Sequence, residues 1–395
     1  MTEHRTSTNR SVPMFSDTCD ETSSHSSTFF SGQKISGVRD WTPSRRNDGR
    51  QSPTPSPVIL GMQTARGPLG GIADRLPKTI CPPIPSPDDN VTNRRFLFLR
   101  EIGGPNCLKP FLDSVNELTK KDDNHPLARG TLIIDQTVTL TQPITIPRGY
   151  TLAGVGENGR GIIQVAAEFG GQPAIRIVNP FVTIRDLGIE AGSFGLNSGA
   201  IGIDLDPTGH IYLQNVRVAS FGQYGLKAKD VGSVFVDKCQ FVGNGNNLLM
   251  VGTAAFGIQS WRIRDSIIRD AKEWGIRTQG AGADLVIEGC RFEGNFFGGV
   301  RLGKGFSGAF IFGNRFEDNR TAEEKKVPIA GRGVRVDDGA ISTRILCNLF
   351  SGDAITPSVP KIVLNPQEPQ KANQATQIGF NVSDILEDAA FRVPL

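Results

Sequence analysis

The chain has 395 residues, with 43 Lys and Arg against 40 Asp and Glu, a net charge of +3, and 46 Gly. That near-neutral balance points to no partner by itself, and no run approaches transmembrane length, so neither nucleic acid nor membrane is an expected partner. The 6 Cys fall at irregular spacing, which gives neither a zinc pattern nor a tight disulfide framework.

Residues 1–92 are rich in Ser, Thr, Pro, Arg and Asn and carry no sustained periodicity. Such a segment buries too little apolar surface to offset its ordering entropy, which predicts a disordered tail. Its first thirty residues lack the apolar core of a secretory signal, so the sequence leaves the compartment open. From residue 93 to 395 the texture is that of one folded domain. RRFLFLREIG (94–103) reads as a strand. Residues 107–121 place Leu108, Phe111, Leu112, Val115 and Leu118 on one helical face, with Pro110 tolerable in the first turn. An amphipathic helix ahead of stacked strands suits a cap over an open end. TLIID (131–135), TVTL (137–140), ITI (144–146) and YTLAGVG (150–156) follow as short strands.

The chain then repeats. VTIRDLGI (182–189), IYLQNVRV (211–218), VFVDKCQF (234–241), WRIRDSII (261–268), LVIEGCRF (285–292), FIFGNRF (310–316) and RILCNLF (344–350) lie over one another. Each has an apolar/polar alternation, a polar or Gly break, and a second apolar run. A third strand led by Gly completes most units: GIDL (202–205), GLKA (225–228), GIRT (275–278), GVRL (299–302) and GVRV (333–336). The interval of roughly 23–29 residues is that of a repeat array, whose units bury their apolar faces only by stacking. The expected fold is all-β, a single-stranded right-handed parallel β-helix solenoid with an N-terminal capping helix. KIVL (361–364) and IGFNV (378–382) read as a last partial rung, and 383–391 as a far-end cap with Ser383 as N-cap. Cys239 and Cys290 share a slot with Val216 and Ser266, and read as small buried hydrophobes.

Alternate strand residues face out, which puts Arg176, Asp204, Lys227, Met250, Arg277, Arg301 and Arg335 in one outward row of the Gly-led sheet. Like charges on neighbouring rungs, ~4.8 Å apart, repel by ~0.9 kcal/mol in water and ~3.5 kcal/mol at an effective dielectric of ~20. A run of three Arg that keeps this cost is expected to match an anion. Tyr224 and Trp274 both stand directly before the Gly of their strands, with Phe297 near, as aromatics at a groove wall. The segment 317–332 is an insertion carrying Arg320, Lys325, Lys326 and Arg332, a candidate groove wall. The bland alternatives are Arg and Lys stems shielding apolar strands, aromatics packing a corner, and Asp204–Lys227 as a cross-strand pair. His125 and His210 are lone and read as structural or surface residues.

The rungs, such as GVRLGKGFSGAFIFGNRFEDN (299–319), and a cap helix followed by GTLIIDQTVTLTQPITIPRGYTLAGVG (130–156), resemble the pectin-lyase-like superfamily over about two thirds of the chain. The resemblance implies a substrate groove floored by the Gly-led sheet and an acidic polysaccharide, such as a polyuronate, as substrate. It also implies a usually extracellular location, and Ca²⁺ as a possible but uncertain cofactor. In this reading Lys227 is the base of a β-elimination, while Arg277 and Arg301 neutralise the substrate carboxylate; Arg176, Asp204, Tyr224, Trp274 and Arg335 bind sugar. The departures are clear. The chain has neither the adjacent Asp pair with Gly-His-Gly and Arg-Ile-Lys of polygalacturonases nor the Asp-Pro-His of mannuronan epimerases. The Arg-Pro-rich signature of extracellular pectate lyases is missing too, so no catalytic residue comes from a motif match. Asp204 and Asp206, ~6.8 Å apart along one strand, keep hydrolysis open as a second chemistry. A non-catalytic structural protein, adhesin or virion tail-spike is the alternative from a different class.

Overall fold

The structure, a computed structural model, describes residues 81, 96–122, 125–155, 161–192, 199–253, 257–319, 333–337, 339–351, 362–364, 376–379 and 381–383. The rest of the 1–92 tail, most of the 317–332 insertion and the 384–391 part of the far-end cap lie outside the described residues.

Three all-parallel sheets of eleven, nine and ten strands run the length of a solenoid, each rung between the two incomplete end rungs giving one strand to each. In every one of the seven repeated segments the polar or Gly break is a corner between two strands. Asp186, Asn215, Lys238, Asp265, Gly289, Gly313 and Cys347 stand there in the left-handed region, with φ between 48° and 62°. Asn, Asp and Gly accept that conformation most readily, which explains why they recur at this place. The residue after each corner turns inward. Cys239 and Cys290 occupy that slot, fully buried, and burial pushes both thiols up to about 12. They are packing groups, as the repeat alignment requires.

Further along the slot the small residues give way to Asn314, Asn348 and Asn381. Asn314 donates to Asn348 Oδ1 at 3.0 Å, and Asn348 to Asn381 Oδ1 at 3.0 Å. Each amide also satisfies a main-chain carbonyl one rung earlier. A second ladder runs Asn244, Asn247, Asn295, Asn319. Ala271 supplies no amide on its rung, and Asn247 reaches across to fill the gap, donating to Asn295 Oδ1 at 3.3 Å. Phe292, Phe316 and Phe350 stack beside these ladders at 4.7 and 4.9 Å.

Gly leads the third strand because the chain closes tightly there. A Cβ on Gly225 would come within 2.6 Å of Asn244 Nδ2 and 2.7 Å of the Asn247 carbonyl. In the middle of this sheet the strand Asn246–Gly252 carries Asn247 where its neighbours carry Gly, and so departs from the sequence pattern. Its register corrects the predicted row. Lys227 pairs with Leu249 and Ala228 with Met250, so Met250 points into the core and Leu249 takes the outward slot.

At the N-terminal end the strand expected over 94–103 is confined to Phe96–Phe98, followed by a 3-10 turn at Leu99–Ile102 that Gly103 ends at φ 102°. The cap helix spans Leu108–Lys121 and buries Leu108, Phe111, Leu112 and Val115 as predicted. Thr119, rather than Leu118, completes the buried face, a rotation of one position at the last turn. Cys107, just before the helix, is disulfide-bonded to Cys81, with Cα atoms 5.5 Å apart. The irregular Cys spacing hid that bridge. At the far end Ile362–Leu364, Gln377–Gly379 and Val382–Ser383 add one strand to each sheet, the expected last rung.

Candidate functional site

The outward row of the Gly-led sheet is continuous in register: Arg176, Asp204, Lys227, Leu249, Arg277, Arg301, Arg335. The three Arg therefore do rise on consecutive rungs of one wall. They are not bare. Asp337, two residues beyond Arg335 and on the same face, accepts from Arg301 Nε at 2.8 Å and from Arg335 Nε at 2.6 Å. Arg277 lies 3.5 Å from Glu273 Oε2, which also accepts from Asn246 Nδ2 at 2.9 Å. With its amide turned to suit, Gln279 accepts twice more from Arg277, at 3.1 and 2.9 Å. Among the described residues the three guanidiniums share the carboxylates of Glu273 and Asp337, which offsets much of the ladder's self-repulsion.

Trp274 sits beneath this part of the row. It is only 3% exposed, its ring 6.5 Å from that of Phe297 and 5.9 Å from the Arg301 guanidinium. It braces Arg301 from below instead of standing open at the wall. Tyr224, two rungs away in the same slot with Asn246 between, is half-buried.

Leu249, 4% exposed, separates the Arg cluster from the other half of the row. There the charges alternate: Arg176, Asp204, Lys227. Lys227 Nζ lies 3.9 Å from Asp204 Oδ1, the cross-strand pair foreseen as the ordinary reading. Burial pushes the Asp204 carboxyl above the usual carboxylate range, with Lys227 and Arg176 pulling the other way. Lys227 and Arg277, the proposed base and the first neutralising group, stand two rungs apart, ~9.6 Å between Cα atoms.

Among the described residues no three His, Cys, Asp or Glu gather to hold a metal ion. Asp204 and Asp206 offer two carboxylates, one already facing Lys227, against the six to eight oxygens Ca²⁺ takes. That pair does not fit the ion. His125 accepts from the Leu127 N–H and so caps a short turn, and His210 stacks on Phe181. The pairing of Glu273 and Asp337 with the Arg row escaped sequence reasoning. The signal was present in Asp337, since i and i+2 share a strand face; Asn246 and Gln279 left none.

The fold and this wall define a right-handed parallel β-helix, an architecture shared by sugar-acting enzymes and surface adhesins. A family profile described as a right handed beta helix region matches residues 196–355. No curated protein matches the chain. Among solved structures, the Streptococcus pneumoniae surface protein and adhesin PfbA is 12% identical, over 74% of this chain and 87% of its own, at a TM-score of 0.52. DFA-IIIase from Arthrobacter chlorophenolicus A6 is 10% identical, over 73% of this chain and 77% of its own, at 0.53. ORF18 of Geobacillus virus E2 is 14% identical at a TM-score of 0.44, over 65% of this chain, which spans only 54% of that protein's length. At such identities the likeness is one of fold.

Proposed function

We propose that the Gly-led sheet binds an acidic polysaccharide and cleaves it by β-elimination. The carrying observation is the in-register rise of Arg277, Arg301 and Arg335 on consecutive rungs of one outward face. A polyuronate laid along the solenoid sets successive carboxylates over this row. Leu249, buried between Lys227 and Arg277, leaves its place in the row bare of charge, where one sugar ring sits. Lys227 then approaches the acidic C–H from one side of that ring and Arg277 and Arg301 the carboxylate from the other, stabilising the carbanion-like transition state. Arg176, Asp204, Tyr224 and Arg335 extend the track, and Trp274 acts through Arg301. The Cys81–Cys107 bridge suits an oxidising, extracellular setting, and no helix among the described residues is long and apolar enough to cross a membrane.

Hydrolysis is the second reading, favoured by Asp204, whose half-buried carboxyl holds its proton more readily than an ordinary one and so suits a general acid. One experiment separates them. The full chain is incubated with a panel of acidic polysaccharides. Absorbance of unsaturated uronate supports the lyase, whereas new reducing ends without it support the hydrolase. Binding without product supports an adhesin-like role and overturns cleavage; silence on every glycan overturns the whole reading.

A further inference from the structure

Between Arg176 and Arg277 the outward residues of the Gly-led sheet change character at every rung, and they do so in two columns at once. The first column reads Arg176, Asp204, Lys227, Leu249, Arg277. Two residues further along each strand, on the same face, the second reads Val178, Asp206, Lys229, Val251, Gln279. One rung is therefore doubly acidic, the next doubly basic and the next doubly apolar. Cations recur on every second rung, ~9.6 Å apart. Beyond Arg277 the alternation ends, since Arg301 and Arg335 follow on consecutive rungs and share Asp337.

The acidic rung lies between two basic ones. Asp204 pairs in register with Arg176 on one side and with Lys227 on the other, whose Nζ lies 3.9 Å from Asp204 Oδ1. Asp206 donates its N–H to the Ile177 carbonyl at 3.1 Å, which keeps it in the ladder beyond Asp204. The two acidic residues stand ~6.8 Å apart across the track between Cα atoms, about the width of a sugar ring. Whichever edge a sugar turns to this rung, it meets a carboxylate, which accepts from hydroxyls and repels a second carboxylate. Two rungs further, Leu249 and Val251 offer nothing to hold a charge. Rungs succeed one another at ~4.8 Å, and an extended chain of pyranoses advances by a similar step per sugar. A homopolymer of uronates would therefore lay a carboxylate on the acidic rung as well as on the basic ones.

We propose that this sheet reads a polysaccharide in which a uronate alternates with a neutral sugar, its carboxylates meeting the Arg176, Lys227–Lys229 and Arg277 rungs. The proposal rests on the reading of the Gly-led sheet as a glycan track and narrows its substrate. The ring over Leu249 turns its carboxylate to Arg277. The next carboxylate along falls on Lys229, beside Lys227, and the one after that on Arg176. Between them, the hydroxyls of the neutral sugars donate to Asp204 and Asp206.

The test is calorimetric titration of the full chain, at one ionic strength, with hyaluronan, polygalacturonate of the same number of sugars, and neutral dextran. In hyaluronan a uronate alternates with a neutral amido sugar, whereas polygalacturonate carries twice as many carboxylates, so charge alone favours the latter. Hyaluronan should still bind about tenfold more tightly than polygalacturonate. The double change Asp204→Asn with Asp206→Asn should narrow that preference to about threefold or less by tightening polygalacturonate. The comparison on the unaltered chain stands even if the double variant fails to fold. Polygalacturonate binding as tightly as hyaluronan, or a preference that the double variant leaves intact, overturns the alternation and leaves the track standing. If neither polyanion binds better than dextran, the track itself falls and this proposal with it.

Discussion

The inside and the outside of this solenoid handle repetition in opposite ways. Inside, Asn repeats on successive rungs, and each amide donates to the next while accepting main-chain N–H groups. An amide carries both donor and acceptor, so a column of identical amides is self-complementary. Outside, on the Gly-led sheet, the repeated group is a guanidinium, which only donates and always carries charge. A column of these repels itself, and Glu273 and Asp337 are needed between its members. The lesson is that an interior ladder follows from stability alone. The exterior one works against stability and stands only with carboxylates set beside it.

The largest effect expected from that contrast is on the interior. Asn295→Ala strips a donor from the Ile268 carbonyl and from Asn319 Oδ1, and an acceptor from the Ala271 N–H. At ~1–3 kcal/mol for each buried group left unsatisfied, the loss should be about 3–5 kcal/mol, read as a shift in the urea unfolding midpoint. Arg277→Gln, half-exposed on the outer wall, should cost under ~1 kcal/mol in the same assay. Similar costs for the two would break the contrast.

Asp337→Asn comes next. It leaves Arg301 and Arg335 facing one another across a rung, which should lower stability by about 1–2 kcal/mol, less in high salt. The same change should tighten polyuronate binding several-fold in an isothermal titration. Weaker binding would mean that Asp337 serves the glycan directly. Arg301→Gln should do the reverse, weakening binding about tenfold (~1.4 kcal/mol) with little change in melting.

The smallest effect is one of sign. Burial raises the Asp204 carboxyl, so its ionised form works against the fold once pH climbs past the ordinary carboxylate range. Asp204→Asn should therefore raise the melting temperature at pH 7. That gain should shrink as pH falls through the raised value and vanish below the ordinary carboxylate range, where the native side chain is protonated in both states. A gain that persists unchanged in acid, or a loss at neutral pH, would show that the pair with Lys227 at 3.9 Å outweighs desolvation.

Most of the fold was legible because a parallel solenoid writes its period into the chain. The corner residues at positive φ, the inward slot of Cys239 and Cys290, and the outward Arg277, Arg301 and Arg335 all follow from aligning the repeats. The strand Asn246–Gly252 was not legible in full. It lacks the Gly lead that sets the frame, and a frame error of one residue exchanges the two faces, as it did for Met250 and Leu249. Trp274 shows a second limit. Position before the glycine marks the slot, but whether its ring is open depends on Phe297 and on Arg301 from the following rung. The Cys81–Cys107 bridge joins positions with no repeat relation, so alignment had nothing to say about it.

The most direct measurement is the salt dependence of polyuronate binding by the full chain, beside Arg301→Gln. If the guanidinium row grips a polyanion, log K falls steeply and linearly with log salt, and the variant's slope is shallower by about one released counterion, by analogy with other polyanions. A binding constant indifferent to salt, or the same slope with and without Arg301, would contradict the assignment of the Gly-led wall as the floor of the glycan track.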